Sequence, residues 1–576
     1  LIESGFGSVF VHRLWHFKNP SAFAISVFRQ KNITENTMTI STPGKFQEKG
    51  RDPRGRELNS VAGSSRDVKL KYLGCVPPLT IGPPALFREL LAFLTDSNYS
   101  EGAVCVRLGI GSSQDYLTLR PNPASPRSIQ DPLDLVARLF LIGEMVKNDE
   151  LEKWASLPIL EAMRRLGLIA RHSRRPESWY ATAALYPVRG LFLVSDRWTS
   201  PECAPIEMAV DVVYPAVTVN TCHFLETLPN EPCDSFLDLC SGSGVAALLA
   251  ASSYARHAWA TDVTESSTRC AEFSRLLNGI ENVTVAQGDL YQAAGERTFD
   301  RIAANPPYMP SLRPAEIYAY GGEFGDQITR RIVEGLPEYL RPGGRFYCVT
   351  AGPDRDGEGF EVRVRDWLGS AASEFDIFFF ERRSFEPSEI AHQRAAKTRG
   401  GSEEVDQWKE LFAQRGVTNL VYGSLVIQRK TGAARAFTVR RRKGSRLGTP
   451  EIEWLRAWET ASADDAILQL ILDAKPLAAR GLELHVIHRL QNGELAPQEF
   501  TLETRYPFTV ECSIHPWAAY LIARCDGKTT ARQILGHLKE NGVIGAGERE
   551  EEFADFLRVL ISGGFLEIEG FRLPPH

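Results

Sequence analysis

The sequence predicts an α/β protein: a mostly parallel sheet with an antiparallel edge pair, flanked by two smaller α+β modules. Three observations carry that prediction. Residues 235–350 alternate β-like and helical segments, the pattern of a parallel sheet covered by helices on both faces. A glycine turn, DLCSGSG, follows the first β-like segment. A later one, FDRIAA, stops abruptly at NPPY, where proline can no longer donate to a sheet ladder.

The elements follow in order. Residues 1–79 read as a tail or an upstream extension, rich in Gly, Pro, Ser and charge after Met38, itself a possible start. Residues 80–200 form the first module. PPALFRELLAFLTD and DPLDLVARLFLIGEMVKN have helical spacing, with Asp131 as N-cap of the second, and SLPILEAMRRLGLI is a short helix stopped at Gly167. SWYATAALYPV and GLFLVSD read as a hairpin, giving a winged-helix-like order that serves docking or nucleic-acid binding. Residues 201–430 hold the sheet. Its strands are SFLDLC, HAWATDV, VTVAQGDL, FDRIAANPPY and GRFYCVTAG, then EFDIFFFERRSF and NLVYGSLVIQRK around an insertion with a helix. Residues 431–576 open with TGAARAFTVRRRKGSRLGTPE, read as a solvated basic linker, and close with helices and a terminal hairpin, FLEIEGFRL, in a second winged-helix-like module.

Composition narrows the function. With 43% hydrophobic and 24% charged residues and a net charge of −6, the chain is of soluble, globular type, and its 576 residues exceed one ordinary core. Mild acidity excludes a surface coated throughout by nucleic acid but leaves room for a local basic patch. No apolar run reaches the roughly 18 residues a membrane span needs. The ten cysteines form no C-x-x-C pair, so neither a zinc site nor a disulfide framework is expected, and the cytoplasm fits best.

The chemistry sits at strand ends. Gly242 and Gly244 let backbone approach a ligand at a helix N-terminus. Asp238 precedes that turn and Ala247 replaces the third glycine of a dinucleotide motif, which favours a cationic ligand over a pyrophosphate. Asp262, followed by Val263, ends the second strand, where a carboxylate accepts ribose hydroxyls; Asp289, followed by Leu290, ends the third, within reach of an adenine amine. Together these pieces resemble the class I S-adenosylmethionine-dependent methyltransferases, with a Rossmann-like core. The resemblance covers about residues 212–430 and implies S-adenosyl-L-methionine held by Asp238, Cys240, Gly242, Gly244, Asp262, Val263, Asp289, Leu290 and Asn305.

Asn305-Pro306-Pro307-Tyr308 resembles the N-P-P-Y signature of methyltransferases acting on planar nitrogens. Such a nitrogen is a weak nucleophile because its lone pair is delocalised. The Asn305 side-chain oxygen and the Pro306 carbonyl can accept its two N–H hydrogens, the prolines fix the turn, and Tyr308 stacks on the flat group. The Gly-Gly-x-x-Gly-Asp element in YGGEFGDQ is similar to that of protein-(glutamine-N5) methyltransferases that modify release factors. Ahead of the first strand, VVYPAVTVNTCHFLETL is similar in place to the family's lid helix, which implies contacts from Tyr214, Thr218 and Asn220, each equally suited to a structural part; a lone histidine such as His223 is more often packed or on the surface than catalytic.

Three readings stay open on the sequence. The first is N-methylation of a protein glutamine amide in a macromolecular partner such as a release factor. The second is methylation of a nucleic-acid base amine, adenine N6 or rRNA guanine N2, which asks for a continuous basic surface from Arg313, Arg382, Arg383, Arg394, Lys397, Arg399 and the RRRK stretch. The third is a non-catalytic binding protein with a degenerate methyltransferase core. The oligomeric state is not legible.

Overall fold

The computed structural model describes residues 79–122, 128–200, 202, 209–313, 317–433, 435–444, 447–464 and 466–575. Nearly all of the tail assigned to residues 1–79 lies outside them.

At the centre is a sheet of eight strands. In chain order they are β1 Cys233–Leu239, β2 Ala255–Asp262, β3 Val283–Gln287, β4 Phe299–Ala304, β5 Leu340–Arg355, β6 Phe375–Phe385, β7 Val417–Arg429 and β8 Thr438–Arg442. Their order across the sheet is β8-β6-β7-β5-β4-β1-β2-β3. All run parallel except β7, which is antiparallel to both β5 and β6. The helices are α1 Val219–Thr227, α2 Val245–Ser253, α3 Glu265–Leu277, α4 Gln327–Tyr339, α5 Phe360–Trp367, and two in the insertion, α6 Pro387–Thr398 and α7 Gly401–Gln414.

Strand periodicity decides which helix covers which face. Phe236 of β1, Ala303 of β4 and Phe378 of β6 share a core with Val245 and Ala246 of α2 and Phe273 of α3. Their chain neighbours Leu237, Ile302 and Ile377 face the other way, onto Ile332 and Leu336 of α4 and Phe360 of α5. Strands covered on both faces read as continuous apolar runs, as SFLDL and FDIFFF do.

Two details differ from the expectation. The antiparallel strand β7 is not at the edge, because the TVRRR stretch forms β8 and takes the edge beyond β6. That corrects the reading of RRRK as a solvated linker. Arg440 donates from Nε to Glu381 at 2.8 Å and from Nη1 to Asp354 at 2.9 Å and Glu361 at 3.4 Å, while Arg441 pairs with Glu459 at 2.6 Å. This strand has no apolar alternation to announce it; acids far away in sequence place it. The insertion between β6 and β7 also holds two helices rather than one, broken where Arg399 and Gly401 adopt left-handed φ of 58° and 68°.

In the N-terminal region SWYATAALYPV is not one strand. Its first part belongs to Arg175–Ala181, which lies between Ile169–His172 and Val146–Lys147 in a three-stranded sheet. Its second part, Ala184–Val188, pairs instead with Leu191–Ser195. That second hairpin docks on α3: Val194 N donates to Ser274 Oγ at 3.1 Å and Asn278 Nδ2 to Phe192 O at 2.7 Å. Phe87 meets Phe273 edge-on at 5.0 Å, so the N-terminal core continues into the sheet domain. In the C-terminal region, Leu566–Glu567 pairs with Leu477–Ala478; the expected terminal hairpin is reduced to one bridge between Ile568 and Phe571. Among the described residues no helix is long and apolar enough to cross a membrane.

Candidate active site

The site lies at the carboxyl ends of β1, β2 and β4, where open α/β sheets leave a crevice. After β1 the chain turns sharply through Cys240, Gly242 and Gly244, all with positive φ (54°, 53° and 79°). Gly244 starts α2, and a Cβ there would come within 3.0 Å of Ala271 in α3, so glycine permits close helix packing. At Gly242 a Cβ would meet nothing within 4 Å, so this face of the turn is open to a ligand.

Asp262 organises the turn. One carboxylate oxygen accepts from Gly242 N at 3.0 Å; the other accepts from Thr264 N at 3.0 Å, and Thr264 in turn caps α3. Val263 beside it is exposed. Asp238 is buried and accepts from Ala247 N at 3.1 Å. Burial, which that hydrogen bond only partly offsets, raises its carboxyl to about 8, with the charge of Asp262 adding to the effect. Burial likewise pushes the Cys240 thiol well up, which removes any thiolate role for it. Asp289 lies two residues beyond β3, at the start of a short 3-10 turn, and pairs with Arg331 of α4 at 2.8 Å; Leu290 follows with a left-handed φ of 53°. Ser241, which the motif reading passed over, has a buried hydroxyl with no hydrogen-bond partner among the described residues.

The second half of the site follows β4. Asn305 Oδ1 is buried and has no hydrogen-bond partner among the described residues. A buried acceptor left unpaired carries a desolvation cost of about 1–3 kcal/mol and asks for an explanation. Pro306 and Pro307 hold the backbone there, and Pro306 is buried.

The Gly-Gly-x-x-Gly-Asp element packs directly beneath this turn. Met309 and Tyr320 form a bridge, Gly321 N donates to Met309 O at 3.0 Å, and Ser311 N to Gly322 O at 3.0 Å. A Cβ on Gly321 would sit 2.7 Å from Tyr308 Cα, and one on Gly325, at φ 86°, would overlap the Tyr308 carbonyl oxygen. The glycines therefore let two backbones touch. Asp326 closes the element by pairing with Arg363 of α5. Gly325→Ala is expected to displace Tyr308 and Asn305: turnover should fall about 10²-fold, as expected for ångström-scale misplacement, with cofactor affinity retained. Equal loss of both, measured by titration and initial rates, would contradict this.

Tyr308 faces Tyr422 of β7, with ring centroids 5.5 Å apart at 42°, and burial pushes its hydroxyl well up. Tyr422 donates to Asn220 Oδ1 at 3.1 Å and lies 3.5 Å from His223 Nδ1. Tyr422 carries no motif, and only the fold brings it to the site. Of the lid residues, Asn220 and His223 thus reach the tyrosine pair. Thr218 caps α1, accepting from Thr221 N at 3.3 Å, and Tyr214 stacks on Tyr318 at 5.2 Å. The basic residues suggested for a nucleic-acid face do not form one surface. Arg313, Arg383, Lys397 and Arg399 are exposed, whereas Arg394 and the Arg382 side chain are buried.

Strand order, glycine turn and Asn-Pro-Pro-Tyr turn define a class I methyltransferase domain. Residues 216–354 match the methyltransferase small domain family. The chain is 33% identical over 156 residues to the ribosomal protein uL3 glutamine methyltransferase of Bradyrhizobium diazoefficiens, covering 25% of this chain and 49% of that protein. It is 31% identical over 163 residues to the Bordetella pertussis protein of the same name, covering 25% and 53%. It is 34% identical over 124 residues to the release factor glutamine methyltransferase of Thermodesulfovibrio yellowstonii, covering 19% and 44%. The chain thus spans about half the length of these relatives.

Proposed function

We propose that the protein is an S-adenosyl-L-methionine-dependent methyltransferase acting on the side-chain amide of a glutamine in a protein. The observation that carries this reading is the unpaired, buried Asn305 Oδ1 at the end of β4. It is an acceptor positioned for an N–H that none of the described residues supplies.

The residues fit the cofactor. The open face of Gly242, the Asp262 carboxylate beside it and the buried Asp238 would hold the methionine and ribose parts; Val263, Asp289 and Leu290 would border the adenine. S-adenosylmethionine supplies an electrophilic methyl when bound. Asn305 Oδ1 and the Pro306 carbonyl accept the two amide N–H hydrogens and aim the nitrogen, with Pro306 and Pro307 fixing both acceptors. Tyr308 covers the flat amide. A strong base is unnecessary, because the proton is lost from a nitrogen already made acidic by the new bond.

Two binding predictions follow from the same geometry. Asp262→Ala should weaken cofactor binding by about tenfold or more, through lost ribose contacts and a loosened glycine turn. Unchanged affinity by calorimetry would remove that role. Asp238, raised to about 8 when the site is free, is largely neutral at pH 7. A cationic ligand group beside it favours the carboxylate, so binding should release a proton and tighten as pH rises from about 6 to 8. Calorimetry in buffers of different ionisation enthalpy reads that proton; no release would contradict it.

The function itself is tested with methyl-labelled S-adenosylmethionine and a cell lysate, divided between protease and nuclease. Label removed by protease alone is expected. Label removed by nuclease alone would favour the base-amine reading, which the pairing of Arg440 and Arg441 with acidic side chains already disfavours.

A further inference from the structure

One cation beside the candidate site is poorly satisfied. Arg382 lies on β6 at a β-bulge: Glu381 pairs with Gly423 of β7 and Arg383 with Tyr422, leaving Arg382 as the extra residue. Bulges re-aim side chains, and they gather next to active sites. Gly423 is what allows this one, because a Cβ there would overlap the Phe380 carbonyl oxygen. The Arg382 side chain is only 6% exposed. Its Nε has no hydrogen-bond partner among the described residues. Among the described residues its guanidinium meets a single acid, Glu226, at 3.5 Å, the outer limit of a hydrogen bond, and Glu226 is itself 44% exposed. A guanidinium carries five N–H donors, and burying one this sparsely paired is costly.

The surroundings are cationic as well. Arg382, Arg383 and Lys443 all act on His223, which burial and these charges together hold down to about 4, so His223 is neutral at pH 7. Lys443 is half-buried, and burial and Arg382 lower its ammonium. Glu226 faces this group from α1, on the same side of the helix as Asn220 and His223. Tyr422 ties the cluster to the site, because its ring meets Tyr308.

We propose that Arg382, with Arg383 and Lys443 around it, forms an anion-binding subsite beside the acceptor pocket, and that it takes the carboxylate of an acidic residue close to the methylated glutamine in the protein substrate. The inference rests on the glutamine reading and adds a substrate class to it. A planar guanidinium suits a carboxylate in a forked geometry, and a substrate carboxylate would satisfy donors that Glu226 leaves empty. Arg382 here is a specificity residue, since it touches the substrate's neighbour rather than the reacting nitrogen.

The test uses two fluorescein-labelled peptides, acetyl-Glu-Gly-Gln-Gly-Glu-amide and acetyl-Gln-Gly-Gln-Gly-Gln-amide. Binding is followed by anisotropy with the full chain saturated with S-adenosylhomocysteine, and turnover is measured separately. The acidic peptide is expected to bind about tenfold tighter or better, as for a charge-assisted hydrogen bond. Arg382→Met should collapse that ratio toward one, and Lys443→Met should reduce it in part, with cofactor affinity and melting temperature reporting that each variant is folded. Equal binding of the two peptides, or a ratio unchanged in Arg382→Met, would overturn the proposal. So would a single-stranded oligonucleotide that binds tighter than the acidic peptide and loses that advantage in Arg382→Met, since the subsite would then serve phosphate. Preferential binding of the acidic peptide supports the subsite even where neither peptide is turned over; a failure of the glutamine reading appears separately, as absent methyl transfer to any protein.

Discussion

Asn305→Ala should lower the rate of methyl transfer by about 10²-fold or more, the usual effect of removing one preorganised hydrogen-bonding group at a reacting centre. Cofactor affinity should stay within about twofold. The split is diagnostic. Asn305 Oδ1 has no partner among the described residues, so its removal breaks no hydrogen bond with any of them. Stability should hold or rise slightly, because an unsatisfied buried acceptor is lost. A merely structural asparagine would behave in the opposite way, with melting temperature falling and turnover per folded molecule unchanged. Single-turnover rates together with a thermal melt distinguish the two.

The second large effect concerns the sheet edge. Arg440→Ala should destabilise the fold by about 3 kcal/mol, the lower end for a broken buried ion pair. Asp354, Glu361 and Glu381 would be left close together, with side chains 14%, 14% and 5% exposed and no Arg440 to pair with. For a domain of this size that corresponds to a melting temperature lower by roughly 10 °C. The loss should shrink as pH falls. Burial already raises the Glu361 carboxyl above its ordinary value despite Arg440, and without Arg440 it rises further. In the variant the folded protein then binds more protons than the unfolded chain between the unfolded and folded values. Its stability is therefore regained as pH drops through the folded value and lost as pH climbs back through it. A variant as stable as the parent at pH 8 would show that β8 is held by its backbone pairing with β6 alone.

The two effects also mark where the sequence was readable. Core strands could be located because apolar runs such as SFLDL and FDIFFF are bounded by turns, and a doubly covered sheet needs such runs. The site motifs were readable because their constraints are local. Gly242 and Gly244 answer to backbone geometry within one turn, and Asn305 to two adjacent prolines. The structure brings Asp238, Gly242, Asp262 and Asn305 to neighbouring strand ends, as the motif order implied, and leaves Thr218 as a helix cap.

What was hidden depended on distant partners. TVRRR looks like linker until Asp354, Glu361 and Glu381 are placed around Arg440. SWYATAALYPV looks like one strand until its halves find different sheets. Tyr422 sits in NLVYGSLVIQRK, a strand read from the sequence without any site residue, and only the antiparallel insertion of β7 carries it to Tyr308. Arg382 was visible as a charge, but its burial comes from a bulge that no local pattern signals.

The central claim is that the Asn305 turn receives a glutamine amide. The most direct test is to incubate the purified protein with deuterated-methyl S-adenosylmethionine and lysate proteins, then map the label by tandem mass spectrometry. The account predicts labelled methyl on the side-chain nitrogen of glutamine in a protein, lost with Asn305→Ala. Label on lysine, arginine or a nucleobase, or glutamine label that persists in Asn305→Ala, would contradict it.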